Sequence, residues 1–145
     1  MSDPLAVIDA SLVLKVLLPN PDMPRCLAVL KNLQTAQLTA PALWAYEVTS
    51  ALAKAVHFNQ LSAEESRAAL SQALELDVHL IAPDEIQSSL ALDWSFRLKR
   101  ASAYDSFYLA VAEAFDAPLW TADQRLVNAF QNNKPAWLHW IGEIG

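Results

Sequence analysis

The chain has 145 residues, 54% of them hydrophobic, with a mean hydropathy of +0.18; that suits one domain over residues 1–145 with a real core and excludes disorder. Net charge is −6, without the basic excess of a nucleic-acid binder, yet four acids committed to metal would leave the remainder nearly neutral, so charge neither excludes RNA nor supports it. No apolar run has the length of a membrane span and no basic-then-apolar leader opens the chain, so a cytoplasmic protein without membrane attachment is expected.

Leu5 to Ile8 reads as a first strand that ends on Asp9, with Ser11 two places on. An apolar helix through Leu12, Val13, Val16 and Leu17 stops at Pro19-Asn20-Pro21. Asp22 can cap the next helix, which tolerates Pro24 in its first turn and runs to about Asn32 with Leu27, Leu30 and Leu33 inward. The lone Cys26 shares an apolar pattern with Val29 and Leu30, which predicts a buried structural thiol in a reducing compartment. Gln37 to Ala40 is a short strand closed by Pro41, and Leu43 to Ala53 a helix with Leu43, Val48, Ala51 and Leu52 on one stripe and Glu47 beside it.

Ser62-Ala63-Glu64-Glu65 is a capping box that starts a further helix. Val78 to Ile81 is a strand, and Pro83-Asp84 begins a long helix to about Lys99. Ser102-Ala103-Tyr104-Asp105 opens another helix, ended by Asp116-Ala117-Pro118 with Asp116 in the left-handed conformation. Leu119 to Asp123 is again a strand running into an acid, followed by a short helix from Gln124 to Phe130 and a last strand from Ala136 to Ile141. Strands alternate with helices, so the class is α/β, a mainly parallel sheet covered on both faces.

Asp9 and Asp123 end strands, Asp105 lies in a first helical turn and Glu47 near a helix start. The C-terminal ends of parallel strands share one edge with the starts of the following helices, so the four carboxylates are expected to meet there. Together they would repel, and a hard cation, Mg²⁺ or Mn²⁺, resolves that repulsion. Carboxylates around such an ion suit phosphodiester hydrolysis by metal-activated water. Ser11 and Thr121, each two residues from an acid, could orient a carboxylate or a water. Each acid also has a plainer reading: Asp9 and Asp123 as helix caps, Asp105 as the partner of Ser102 in a capping box, Glu47 as a solvated helix residue.

Arg97, Lys99 and Arg100 could meet RNA phosphates or simply complement a helix C-terminus, and Arg125 is the best single phosphate candidate, although an acid of a protein partner could bind it instead. Lys15 and Lys54 read as solvated. His57, His79 and His139 lack metal-ligand spacing, and glycine only at Gly142 and Gly145 rules out a Gly-rich phosphate loop.

The segments Val7-Ile8-Asp9-Ala10-Ser11, Glu47-Val48, Tyr104-Asp105-Ser106-Phe107-Tyr108-Leu109-Ala110 and Pro118-Leu119-Trp120-Thr121-Ala122-Asp123 resemble, in order and spacing, the motifs of PIN-domain nucleases. The closest subgroup is the VapC-type toxins of toxin–antitoxin pairs. The resemblance implies a three-layer α/β/α fold and a Mg²⁺- or Mn²⁺-dependent endoribonuclease. Asp9, Glu47, Asp105 and Asp123 match its acidic quartet, and Ser11 and Thr121 its accessory hydroxyls. It also implies a homodimer restrained by a cognate antitoxin whose C-terminal segment fills the active-site groove. The five tryptophans read as core or interface residues, and Trp44, near Glu47, could instead line that groove. Asp116 departs from the family, which commonly has glycine there. Two rivals are a non-catalytic PIN-fold binding module and an aspartyl-phosphate phosphatase with Asp9 as nucleophile. Ser11 stands where the phosphatase normally needs a second acid.

Overall fold

A computed structural model describes residues 3–100 and 103–143. Five strands form one parallel sheet: β1 (Leu5–Ile8), β2 (Gln37–Pro41), β3 (His79–Ile81), β4 (Leu119–Thr121) and β5 (Leu138–Trp140), in the order β3-β2-β1-β4-β5. The helices are α1 (Ala10–Leu17), α2 (Met23–Asn32), α3 (Leu43–His57), α4 (Ala63–Glu75), α5 (Glu85–Leu98), α6 (Tyr104–Ala114) and α7 (Gln124–Asn128). From β1 the chain steps outward to β2 and β3, then returns across the sheet to β4. Right-handed crossovers therefore put α1 to α4 on one face and α5 with α6 on the other, as the contacts within each group show. The three-layer α/β/α reading holds.

Continuous apolar runs explain the buried sheet. Val7, Ile8 and Leu119 are fully buried between the layers, with Leu12 above and Tyr108 and Leu109 below. Helix ends are closed without glycine: Asn59, Asp77, Lys99, Asp116 and Gln131 take positive φ, Asp116 as the sequence predicts. The Ser62–Glu65 capping box forms in full, and Cys26 is buried. No helix among the described residues is long and apolar enough to cross a membrane.

Several expectations change. Asp22 stands at the N-cap of α2 without bonding it; its carboxylate takes the Lys15 ammonium at 2.6 Å, so Lys15 is paired. Helix α2 turns Cys26 and Val29 inward and leaves Leu27 at the surface. Trp44 is buried in the core, so it lines no groove. Strand β5 spans only Leu138–Trp140, with a 3-10 turn at Ile141–Glu143 taking the expected strand end. Ser102, the proposed capping partner of Asp105, lies outside the described residues, and Ala103 at the cap position makes no side-chain bond.

Candidate active site

The order of strands creates the site. β1 sends the chain one way and β4 receives it on the other side, so a crevice opens at the C-terminal ends of this pair. Asp9 follows β1 directly, and Asp123 follows β4 after Ala122. Asp105 enters from the first turn of α6 and Glu47 from the second turn of α3. All four acids line one cleft of about 1100 Å³, together with Ser11 and Arg125.

Asp9 is the most deeply set. Thr121 Oγ1 donates to Asp9 Oδ2 at 2.7 Å and Ser11 Oγ donates to the same oxygen at 3.0 Å. Ser11 Oγ in turn accepts the Ala122 N–H at 3.1 Å, and Thr121 Oγ1 accepts the Asp123 N–H at 2.9 Å. The two hydroxyls thus tie the ends of β1 and β4 together while orienting one carboxylate. Burial pushes the Asp9 carboxyl up to about 6; the hydroxyl bonds oppose this and the Asp105 charge adds to it. Asp9 is also the N-cap of α1, but its bond from the Ser11 N–H is long, at 3.5 Å.

Glu47 is held by Tyr108, whose hydroxyl donates to Oε1 at 2.6 Å. Burial raises the Glu47 carboxyl, opposed by that bond and reinforced by the charges of Asp9 and Asp105. Tyr108 is fully buried, and burial with the facing carboxylates pushes its hydroxyl far upward, so it stays a donor. Its role is invisible in sequence, since donor and acceptor lie 61 positions apart.

The other two acids are held by arginines. Arg100 Nη1 lies 3.4 Å from Asp105 Oδ2, and Arg125 Nε lies 3.4 Å from Asp123 Oδ1. Burial raises the Asp105 carboxyl, Arg100 opposes this and the Asp123 charge adds to it. Asp123 also caps α7 by accepting the Arg125 N–H at 3.0 Å, so its plainer reading is true alongside its place in the cleft. Arg100 and Arg125, with Lys99, line an adjoining cleft of about 640 Å³ that shares Glu47, Tyr104, Asp105 and Arg125 with the first. The left-handed turn at Lys99 carries the chain out of α5 and delivers Arg100 there. Arg100 Nε and Nη2 are buried without hydrogen-bond partners among the described residues. Arg97 stands apart, stacked 4.0 Å from the Trp94 ring, and lines neither cleft. Lys54, read as solvated, lies along the wall of the main cleft.

Oxygen donors alone make up the acidic set, and its inner pair is held by neutral hydroxyls that leave the charge in place. That chemistry fits a hard divalent cation. Among the described residues no three acid, histidine or cysteine side chains are gathered into a ready-made metal-binding group. The carboxylates share a cleft, not a closed cage. Sequence reasoning also missed Gln87, Tyr46 and Phe107, which line the cleft. Tyr46 adjoins Glu47, and the Asp84 cap sets Gln87 in the first turn of α5, two weak signals.

Comparison with known proteins bears on the family and the fold. A family model described as PIN domain matches residues 7–133. Ribonuclease VapC1 of Mycobacterium tuberculosis is 38% identical over 91 residues, covering 62% of this chain and 65% of that relative, so the match spans just under two thirds of the relative's length. The solved VapBC2 of Rickettsia felis, bound to a DNA fragment from its promoter, superposes with a TM-score of 0.68 at 13% identity, over 94% of this chain and 98% of the other. PAE2754 of Pyrobaculum aerophilum gives 0.67 at 17% identity, over 97% and 86%. A toxin–antitoxin complex from Klebsiella pneumoniae gives 0.63 at 16%, over 92% and 95%. The structural matches share the fold and the family model spans most of the chain: this protein belongs to the PIN-domain family.

Proposed function

We propose that the chain is a Mg²⁺- or Mn²⁺-dependent endoribonuclease and the toxin of a toxin–antitoxin pair. One observation carries this: Asp9, Glu47, Asp105 and Asp123, delivered by four separate elements, line a single cleft at the β1/β4 crevice. The similarity to a relative named a ribonuclease, and to solved structures named as toxin–antitoxin complexes, supports the same reading. The family resemblance brings with it a cognate antitoxin, a homodimer and a cytoplasmic location.

Asp9, Glu47, Asp105 and Asp123 would hold the metal, which when bound supplies an activated water and stabilises charge on the phosphate. Thr121 and Ser11 keep Asp9 in one orientation, and Tyr108 does the same for Glu47. These donors are neutral, so they position the carboxylates without neutralising them. Arg125, with its side chain almost wholly exposed at the rim, meets a phosphate of the RNA backbone. Arg100 lines the adjoining cleft, has two guanidinium nitrogens without partners among the described residues, and is the second phosphate ligand. Arg97, spent on Trp94, has the least claim to substrate.

Purified chain freed of any partner should cleave labelled single-stranded RNA with Mg²⁺ or Mn²⁺. Chelator should stop the reaction, and Asp9→Asn or Asp105→Asn should remove it while circular dichroism shows a folded protein. Metal binding without cleavage across broad RNA pools overturns this in favour of a binding module. Turnover of small phosphate esters in place of RNA overturns it in favour of a phosphatase.

A further inference from the structure

The cleft is larger than the acids need. It runs along the C-terminal edge of the sheet, from Asp123 after β4 to Ala82 and Pro83 after β3. β3 stands two strand spacings from β1, about 10 Å, so the β3 end takes a part of the substrate other than the reacting phosphate. Pro41, Leu43, Ala82 and Pro83 make this end largely apolar.

One buried polar side chain interrupts it. Gln87 lines the cleft at only 5% exposure, and its Oε1 has no hydrogen-bond partner among the described residues. The Gln87 N–H donates to Asp84 Oδ1 at 2.7 Å, so the helix cap fixes the residue in place. A buried carboxamide oxygen without a partner is unfavourable, and a ligand N–H offsets that. A half-turn of the amide exchanges oxygen and nitrogen in nearly the same volume, so the group offers an acceptor and a donor side by side. On α3, Tyr46 is 75% exposed and lines the same cleft, on one helix face with Ser50 and Lys54. An aromatic face, a hydrogen-bonding edge and a nearby cation are the groups that hold an unstacked nucleotide.

We propose that the β3 end of the cleft is a nucleobase subsite for single-stranded RNA: Gln87 hydrogen-bonds the edge of one unstacked base, and Tyr46 supplies a face on which the strand stacks. The proposal rests on the ribonuclease reading. Both residues select substrate and take no part in the chemical step. A peptide lying in the cleft is the competing occupant.

The test is to sequence the cut sites in a randomised single-stranded RNA pool with Mn²⁺, for the unsubstituted protein, Gln87→Met and Tyr46→Leu. Methionine keeps the length and volume of glutamine and removes the amide. Gln87→Met should lose about tenfold in preference at one nucleotide position and keep its preferences elsewhere. Tyr46→Leu, at an exposed site, should raise KM more than it lowers kcat. An RNA whose base at that position lacks the hydrogen-bond donor should be cut about tenfold more slowly by the unsubstituted protein, a measurement that needs no variant to fold. Coincident cut-site profiles for the unsubstituted protein and Gln87→Met, or indifference to the missing donor, overturn the subsite alone. So do variants that change only the affinity for a protein partner. If the unsubstituted protein cuts no RNA, the ribonuclease reading fails and the subsite with it.

Discussion

The cleft has two halves built on different chemistry. Its inner acids, Asp9 and Glu47, are held by the hydroxyls of Thr121, Ser11 and Tyr108. Its outer acids, Asp105 and Asp123, are held by the guanidinium groups of Arg100 and Arg125. A hydroxyl orients a carboxylate and leaves its charge, whereas an arginine brings a counter-charge with it. The inner half is therefore the part that lacks a cation, and the outer half carries its own. Neutral donors on buried Asp9 and half-buried Glu47 leave both charges to be met by a metal, and the demand is strongest at Asp9, where solvent is excluded.

The largest effect should come from removing the inner charge. Asp9→Asn should cut RNA cleavage by at least about 100-fold, a loss of roughly 3 kcal/mol in transition-state stabilisation. The same substitution should stabilise the metal-free protein at pH 7, because burial holds the Asp9 pKa near 6, above its ordinary 3.8. At about 1.4 kcal/mol per pKa unit the gain is about 1–3 kcal/mol, read from urea unfolding in chelator. An equal loss of stability at pH 7 would break the contrast between the halves.

The pH profile of the metal-free protein sharpens it. The folded state binds the Asp9 proton more tightly than the unfolded chain, so this stabilisation is complete below about pH 4. It is lost as pH rises through about 6. Raised carboxyls at Glu47 and Asp105 act in the same direction. Urea midpoints in chelator should accordingly fall between pH 4.5 and pH 7, and this component of the fall should shrink in Asp9→Asn.

Tyr108→Phe should have an intermediate effect. It removes the Tyr108 hydroxyl from Glu47 Oε1 and leaves a half-buried carboxylate short of a partner, at a cost of about 1–2 kcal/mol. Glu47 should become harder to ionise, and the metal requirement of cleavage should rise when read as the half-saturating Mn²⁺ concentration. Arg125→Ala, at the exposed rim, should change stability least, within about 0.5 kcal/mol. Its signature is in binding: the salt dependence of RNA affinity, measured on Asp9→Asn protein, should lose about one counterion.

The sequence carried the acids further than their partners. Asp9 and Asp123 could be read because apolar strands run into them, and strand ends in a parallel sheet have a known place. Asp116 could be read because a helix must stop before Pro118, and aspartate tolerates the left-handed turn. The supporting contacts are long-range and leave no local trace. Tyr108 reaches Glu47 across 61 positions, and Thr121 reaches Asp9 across 112. Trp44 takes the core place open to it and not the groove, because α3 turns it inward while exposing Tyr46, a choice set by tertiary packing and not by periodicity. Asp22 carried a good capping sequence, but the Lys15 ammonium, seven residues back, takes its carboxylate.

Thermal unfolding of the chelated protein with added Mn²⁺, for the unsubstituted chain and Asp9→Asn at pH 7.5, tests the central claim most directly. A cation demanded by the inner half should raise the melting temperature of the unsubstituted protein in proportion to the logarithm of Mn²⁺ concentration above its Kd. In Asp9→Asn that rise should be largely lost, from a higher starting temperature. Equal Mn²⁺ responses in the two proteins, or no response in either, would contradict it.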